Sequence, residues 1–101
     1  MMANKTIINE RDKCKLYDDA VDKWGKPFLV LMAIGEMSEL IQILIHHERK
    51  NRKIKYNDLA SEIADVKIML EQLEYMFSCS DLVKIKMQEK LLRLRNMIDE
   101  E

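Results

Sequence analysis

A chain of 101 residues is expected to be one small domain with room for a single core. It is 48% hydrophobic and 35% charged with only two Gly and one Pro, a composition that favours long uninterrupted helices and little else. A formal net charge of −1 excludes a general polyanion binder and an acidic tail.

The N-terminal residues Met1 to Thr6 contain no apolar stretch of the kind that leads secreted proteins, so a cytoplasmic location is expected. Cys14 and Cys79 form no metal-binding spacing and read as free thiols. The first helix is expected over about Ile7 to Lys23, where Leu16, Tyr17, Ala20, Val21 and Trp24 fall on one stripe. Gly25 and Pro27 punctuate it, with Pro27 well placed to open the next helix. That second helix, about Pro27 to His47, is apolar nearly all round, as helices are when buried centrally or covered by another subunit. Its apolar run from Phe28 to Ile45 approaches membrane-spanning length. Glu36, Ser38, Glu39 and Gln42 interrupt it, and ionisable groups at mid-span are expensive in lipid, so no membrane is expected.

Glu48 to Tyr56 reads as a basic connector. Residues 46–56 carry a local charge of +4, against −4 over residues 57–77. Asn57 is the expected N-cap of a third helix that runs to about Phe77 through Leu59, Ile63, Val66, Leu70, Leu73 and Phe77. Ser78 to Asp81 breaks the pattern, and Ser80 is the expected cap of a fourth helix ending near Ile98. Leu82, Ile85, Leu91, Leu92, Leu94 and Ile98 lie on that helix beside Lys84, Lys86, Lys90, Arg93 and Arg95. The expected fold is therefore all-α: one domain over residues 1–101, an antiparallel bundle of about four helices. Its apolar surface calls for completion by homo-oligomerisation.

The chemistry rests on two acidic pairs at i, i+3 spacing, Glu36/Glu39 and Glu62/Asp65, which place both carboxylates of each pair on one helix face. Each pair sits in an apolar run, Ala33 to Ile41 and Leu59 to Val66, where a carboxylate is costly unless a cation satisfies it. Four converging carboxylates without a matching buried Lys or Arg point to a hard divalent cation, Mg²⁺ first and Mn²⁺ as its substitute. Facing helices of a bundle build metal sites in this way. Lys53 and Lys55 in the connector are in sequence position to meet the tail of a triphosphate. A nucleic-acid interface over residues 49–55 is not expected, because that stretch lacks interleaved aromatics and adjoins the acidic segment.

The remaining candidates have plainer readings. Trp24 closes a helix stripe as a core residue does, with stacking on a nucleobase as the alternative. His46 and His47 are adjacent on a helix, about 100° apart, and cannot share one ion. No Glu-x-x-His motif supports a di-iron bundle, and the eight Met are adaptable core filler.

The pattern Glu-x-x-Glu, the 22 residues 40–61, then Glu-x-x-Asp resembles that of the all-α nucleoside triphosphate pyrophosphohydrolases of the MazG type. Trp24-Gly25 ahead of Gly35-Glu36-Met37-Ser38-Glu39-Leu40-Ile41 is similar to that family's approach to its first acidic helix. Glu62-Ile63-Ala64-Asp65-Val66-Lys67 resembles the second acidic helix of short, phage-type members, and Lys90-Leu91-Leu92-Arg93-Leu94 their terminal helix. The resemblance spans about residues 16–98. It implies Mg²⁺-dependent cleavage of a (d)NTP to the monophosphate and pyrophosphate by a homodimer or homotetramer. It further implies Glu36, Glu39, Glu62 and Asp65 as metal ligands, Glu39 as the residue that orients the attacking water, and Lys90 and Arg93 as substrate contacts. One position departs: Gly35 stands where the family often carries the first of two adjacent acids. That departure motivates the alternative expectation, a non-catalytic oligomeric helical module on the same scaffold.

Overall fold

The computed structural model describes residues 7–50 and 53–100, apart from the side chains of 48–50. Four helices follow in order: α1 (Glu10–Trp24), α2 (Lys26–Lys50), α3 (Tyr56–Met76) and α4 (Ser80–Asp99), with no strand among the described residues. The fold is all-α, as the composition requires. Boundaries differ from expectation where a backbone amide finds a better partner. α1 starts at Glu10 rather than Ile7, because the Asn9 side chain accepts from the Asp12 amide at 2.8 Å and caps the first turn. α2 runs on to Lys50, past His47, which shortens the basic connector; its residues 51 and 52 and the side chains of 48–50 lie outside the described residues. The expected caps Asn57 and Ser80 are replaced by Lys55 and Cys79, neither of which caps with its side chain.

Between α1 and α2 the turn is a single residue. Gly25 adopts φ +84° and its amide donates to Val21 O at 2.8 Å, a conformation that a Cβ would strain. α3 ends in a two-bond closure: the Cys79 amide donates to Glu74 O at 3.0 Å and the Ser78 amide to Tyr75 O at 3.2 Å. Ser78 occupies the left-handed position at φ 53°, where glycine is the usual occupant.

α2 and α3 form the principal helix pair, and α1 lies against both. Residues near Glu36 on α2 meet residues near Glu62 and Asp65 on α3, while His47 meets the segment around Lys55; the two helices therefore run antiparallel. The buried apolar side chains are Tyr17, Leu29, Ala33, Val66 and Met76. Polar bonds fasten α1 to α3. The Tyr17 hydroxyl donates to Glu71 Oε1 at 2.8 Å, Lys13 Nζ sits 3.0 Å from the same oxygen, and buried Gln72 donates to Tyr17 O at 3.2 Å. The Tyr17 hydroxyl and Lys13 hold the Glu71 carboxyl below the usual carboxylate range.

The inward face of α3 is turned from its expected stripe. Val66 is buried as expected, but Gln72 and Met76 join it, whereas Ile63, Leu70 and Phe77 are exposed. α3 packs against both α1 and α2, and Glu71 and Gln72 turn toward Tyr17 on α1. Trp24 is half exposed, not core, and rests 6.2 Å from the Phe28 ring. α4 contacts α3 alone and buries none of its residues.

Replacing Ser78 by Gly relieves the left-handed strain at the end of α3 and is expected to stabilise the protein by about 1 kcal/mol. Urea unfolding of the two proteins checks this, and an unchanged or lower midpoint would rule out the closure described.

Candidate metal centre

α2 and α3 deliver their acids to one place because i, i+3 spacing keeps each pair on one face and the helices run antiparallel. Glu36, Glu62 and Asp65 each present a carboxylate oxygen within 4.8 Å of the others. Glu36 and Glu62 are half-buried and Asp65 is exposed, so the cluster lies at the rim of the helix pair and is open on one side. Glu36 Oε1 and Glu62 Oε2 are shielded from solvent and have no hydrogen-bond partner. Two carboxylates are acceptors only, so neither can satisfy the other. A bound cation or a shared proton resolves the conflict.

The second resolution agrees with the crowding at Glu62, which pushes its pKa up to about 7. The main cause is the hydrogen bond that its protonated form donates to Glu36; burial and the charges of Glu39, Glu36 and Asp65 add to it. Mg²⁺ is usually held by one or two carboxylates together with water and phosphate oxygens, fewer than the three carboxylates that meet here. The orphaned oxygens of Glu36 and Glu62 fit that ion.

Glu39, expected with these three, stands apart. It is exposed, lies close enough to Glu62 for its charge to act there, and presents no oxygen to the three-carboxylate group. It lines an open cleft of about 510 Å³ together with Glu62. His46, His47, Lys53, Lys55 and Asp58 line the same cleft, with Ile43 and Ile54 among its apolar members. Acidic and basic walls thus share one groove. The connector lysines reach it because Lys55 is the residue that opens α3. Trp24, Lys90 and Arg93 do not line it: Trp24 ends α1, and both cations lie exposed on α4.

His46 and His47 are the cleft residues whose place the sequence concealed. Considered only as metal ligands they had no role, but Glu39, Gln42, Ile43 and His46 follow i, i+3, i+4, i+7 along one face of α2. Gly35 has open space where a Cβ would stand, with nothing within 4 Å. A mid-helix glycine costs about 1 kcal/mol relative to alanine, and nothing within the chain requires it.

No family model, no curated protein and no solved structure matches this chain.

Because the folded-state pKa of Glu62 is raised from 4.5 to about 7, the folded state binds more protons than the unfolded state between these values. Stability without divalent ions is therefore expected to be greatest below pH 4.5 as far as this group decides, and to fall as pH rises through 7. Melting curves at pH 5 and pH 8 for the native protein and Glu62→Gln provide the check. The variant should lose most of the difference, and equal pH dependence in both would exclude the carboxyl pair as its source.

Proposed function

We propose that this protein is a Mg²⁺-dependent nucleoside triphosphate pyrophosphohydrolase that works in the cytoplasm as a homodimer or homotetramer and cleaves (d)NTP to (d)NMP and pyrophosphate. The observation that carries the reading is the convergence of Glu36, Glu62 and Asp65 within 4.8 Å, two of them with orphaned oxygens, where Glu62 also lines a cleft shared with Glu39, Lys53, Lys55 and Asp58. The resemblance of the two acidic segments to the MazG-type pattern supports it.

On this reading Glu36, Glu62 and Asp65 hold the ion, with Glu39 completing the acidic set from the cleft. Mg²⁺ so held supplies charge neutralisation at the phosphates and lowers the pKa of bound water. Lys53 and Lys55 draw the β- and γ-phosphates to the far end of the cleft, which leaves the α-phosphate nearest the acids. Glu39, exposed and in the cleft, orients a water toward the α-phosphorus and takes its proton. The water oxygen bonds to the α-phosphorus, the bond to the α–β bridging oxygen breaks, and pyrophosphate leaves with that electron pair. Lys90, Arg93 and Trp24 are substrate contacts only if another copy brings them to this cleft.

Gly35 favours a second reading, a non-catalytic oligomeric module on the same helices. Thermal melts with and without Mg²⁺ separate the two, since an ion that binds the native state alone raises its stability.

Release of pyrophosphate is expected from at least one member of a panel of NTPs and dNTPs with Mg²⁺, and none with EDTA. Glu39→Gln and Asp65→Asn should each lower turnover roughly 10²–10⁴-fold while helical circular dichroism stays unchanged. Full activity in both variants would exclude the site, and silence across the panel from folded native protein would favour the module.

A further inference from the structure

Two residues that line the cleft between α2 and α3 each hold a polar atom shielded from solvent and without a hydrogen-bond partner, Glu62 at Oε2 and His47 at Nδ1. They call for opposite partners. A carboxylate oxygen only accepts and is satisfied by a cation or a proton, whereas an imidazole nitrogen that carries its proton donates and is satisfied by an anion. We propose that His47 is a specificity-determining residue at the terminal phosphate of the substrate, the group by which the cleft tells a triphosphate from a diphosphate. The inference rests on the catalytic reading for the polyphosphate itself, and it names a residue to which that reading gives no role.

Spacing along the two helices sets the distance. Glu39, Gln42, Ile43 and His46 follow one face of α2, and Lys55, Asp58 and Glu62 follow one face of α3. At about 1.5 Å per residue, Glu39 to His46 and Lys55 to Glu62 each span roughly 10 Å. The helices run antiparallel, so Glu62 comes level with Glu39 and Lys55 with the histidines. A ligand that relieves both Glu62 and His47 therefore carries a cation at one point and anionic oxygens roughly 10 Å away. A triphosphate chain with its Mg²⁺ has that reach, and a diphosphate ends one phosphoryl group short.

Burial selects His47 over its neighbours. His46 is exposed and open to water, while His47 is half-buried with Nδ1 shut off. An unpaired buried nitrogen costs free energy, which a phosphate oxygen restores once the ring turns about its Cβ–Cγ bond to meet it. Lys53 and Lys55 are exposed, and an ammonium on a flexible stem is a point charge that attracts any phosphate. The imidazole sits on a helix and is held by packing. A donor so placed favours the ligand that reaches it over one that stops short. Asp58 stands one turn from Lys55 toward Glu62 and repels a bare polyphosphate, so the chain enters as its Mg²⁺ complex.

The test compares inorganic tripolyphosphate with pyrophosphate by calorimetry, each with Mg²⁺, on the native protein and two variants. His47→Phe keeps a ring and loses the donor, while His47→Asn loses the ring and keeps an amide near the position of Nδ1. The native protein should bind tripolyphosphate about 10-fold more tightly than pyrophosphate, the worth of one hydrogen bond to a charged group. His47→Phe should abolish that preference and leave Mg²⁺ binding unchanged, and His47→Asn should keep most of it. A purely structural histidine gives the reverse order, with Phe tolerated and Asn damaging. On the best nucleotide triphosphate of the panel, His47→Phe should raise KM about 10-fold with a smaller effect on kcat.

Equal affinity of the native protein for the two anions overturns the proposal, as does a preference that survives in His47→Phe. Triphosphate hydrolysis that His47→Phe leaves unaltered overturns it too, while the hydrolase reading stands. Conversely, tripolyphosphate binding that depends on His47, in a protein that releases no pyrophosphate from any nucleotide, keeps the phosphate contact and ends the hydrolase reading. Should His47→Phe fail to fold, the ring ¹⁵N resonances of His47 in the native protein decide. They should move with tripolyphosphate and stay with pyrophosphate, and equal movement or none overturns the proposal.

Discussion

Packing α2 against α3 presses Glu36 toward Glu62, and the conflict between these two carboxylates is the interaction to which the site answers. Leu29 and Ala33 on α2, with Val66 and Met76 on α3, are buried at the same time, so the apolar contacts and the acidic contact are made by one set of helix faces. Each oxygen turned inward lacks a donor. Without a cation the pair settles by keeping a proton on Glu62 to unusually high pH. With a cation the same geometry is a ready ligand set. A site held under tension of this kind costs stability and gains affinity for whatever relieves it.

The second constraint is coverage. A chain this small with this much apolar surface cannot hide it behind four helices of which one, α4, touches a single neighbour. α1 is secured by polar bonds rather than by area: Tyr17, Glu71, Lys13 and Gln72 fasten it across α3. What remains outward on α2, α3 and α4 is apolar and patterned. On α2 the acids occupy one side, and the opposite side is uncharged and exposed.

Reading the chain residue by residue recovered its four helices, because these depend on spacing along the chain, but it expected four acids to converge where Glu36, Glu62 and Asp65 do and Glu39 does not. Gly25 and Pro27, and the polar break at residues 78–81, punctuate the chain where the structure turns. Caps were less legible. Asn57 and Ser80 have the right chemistry, yet Lys55 and Cys79 occupy the capping positions, since the closure around Ser78 and the path of the connector set where each helix can begin. The stripe expected on α3 was displaced for a related reason: Gln72 is polar and reads as solvent-facing, but its partner is a carbonyl on α1, which no local pattern reveals.

Sequence alone determined that the protein is helical, where the helices lie, and that Glu36, Glu62 and Asp65 share helix faces with apolar neighbours. Those properties follow from the 3.6-residue period and from composition. Only the tertiary structure decided which acids touch, that Glu39 stands off in the cleft with Lys53, Lys55 and the two histidines, and that Trp24 lies on the surface. Each of these depends on the rotation of one helix against another. Rotation is set by long-range partners such as Tyr17 and Glu71, 54 residues apart, and spacing along one helix carries no information about it.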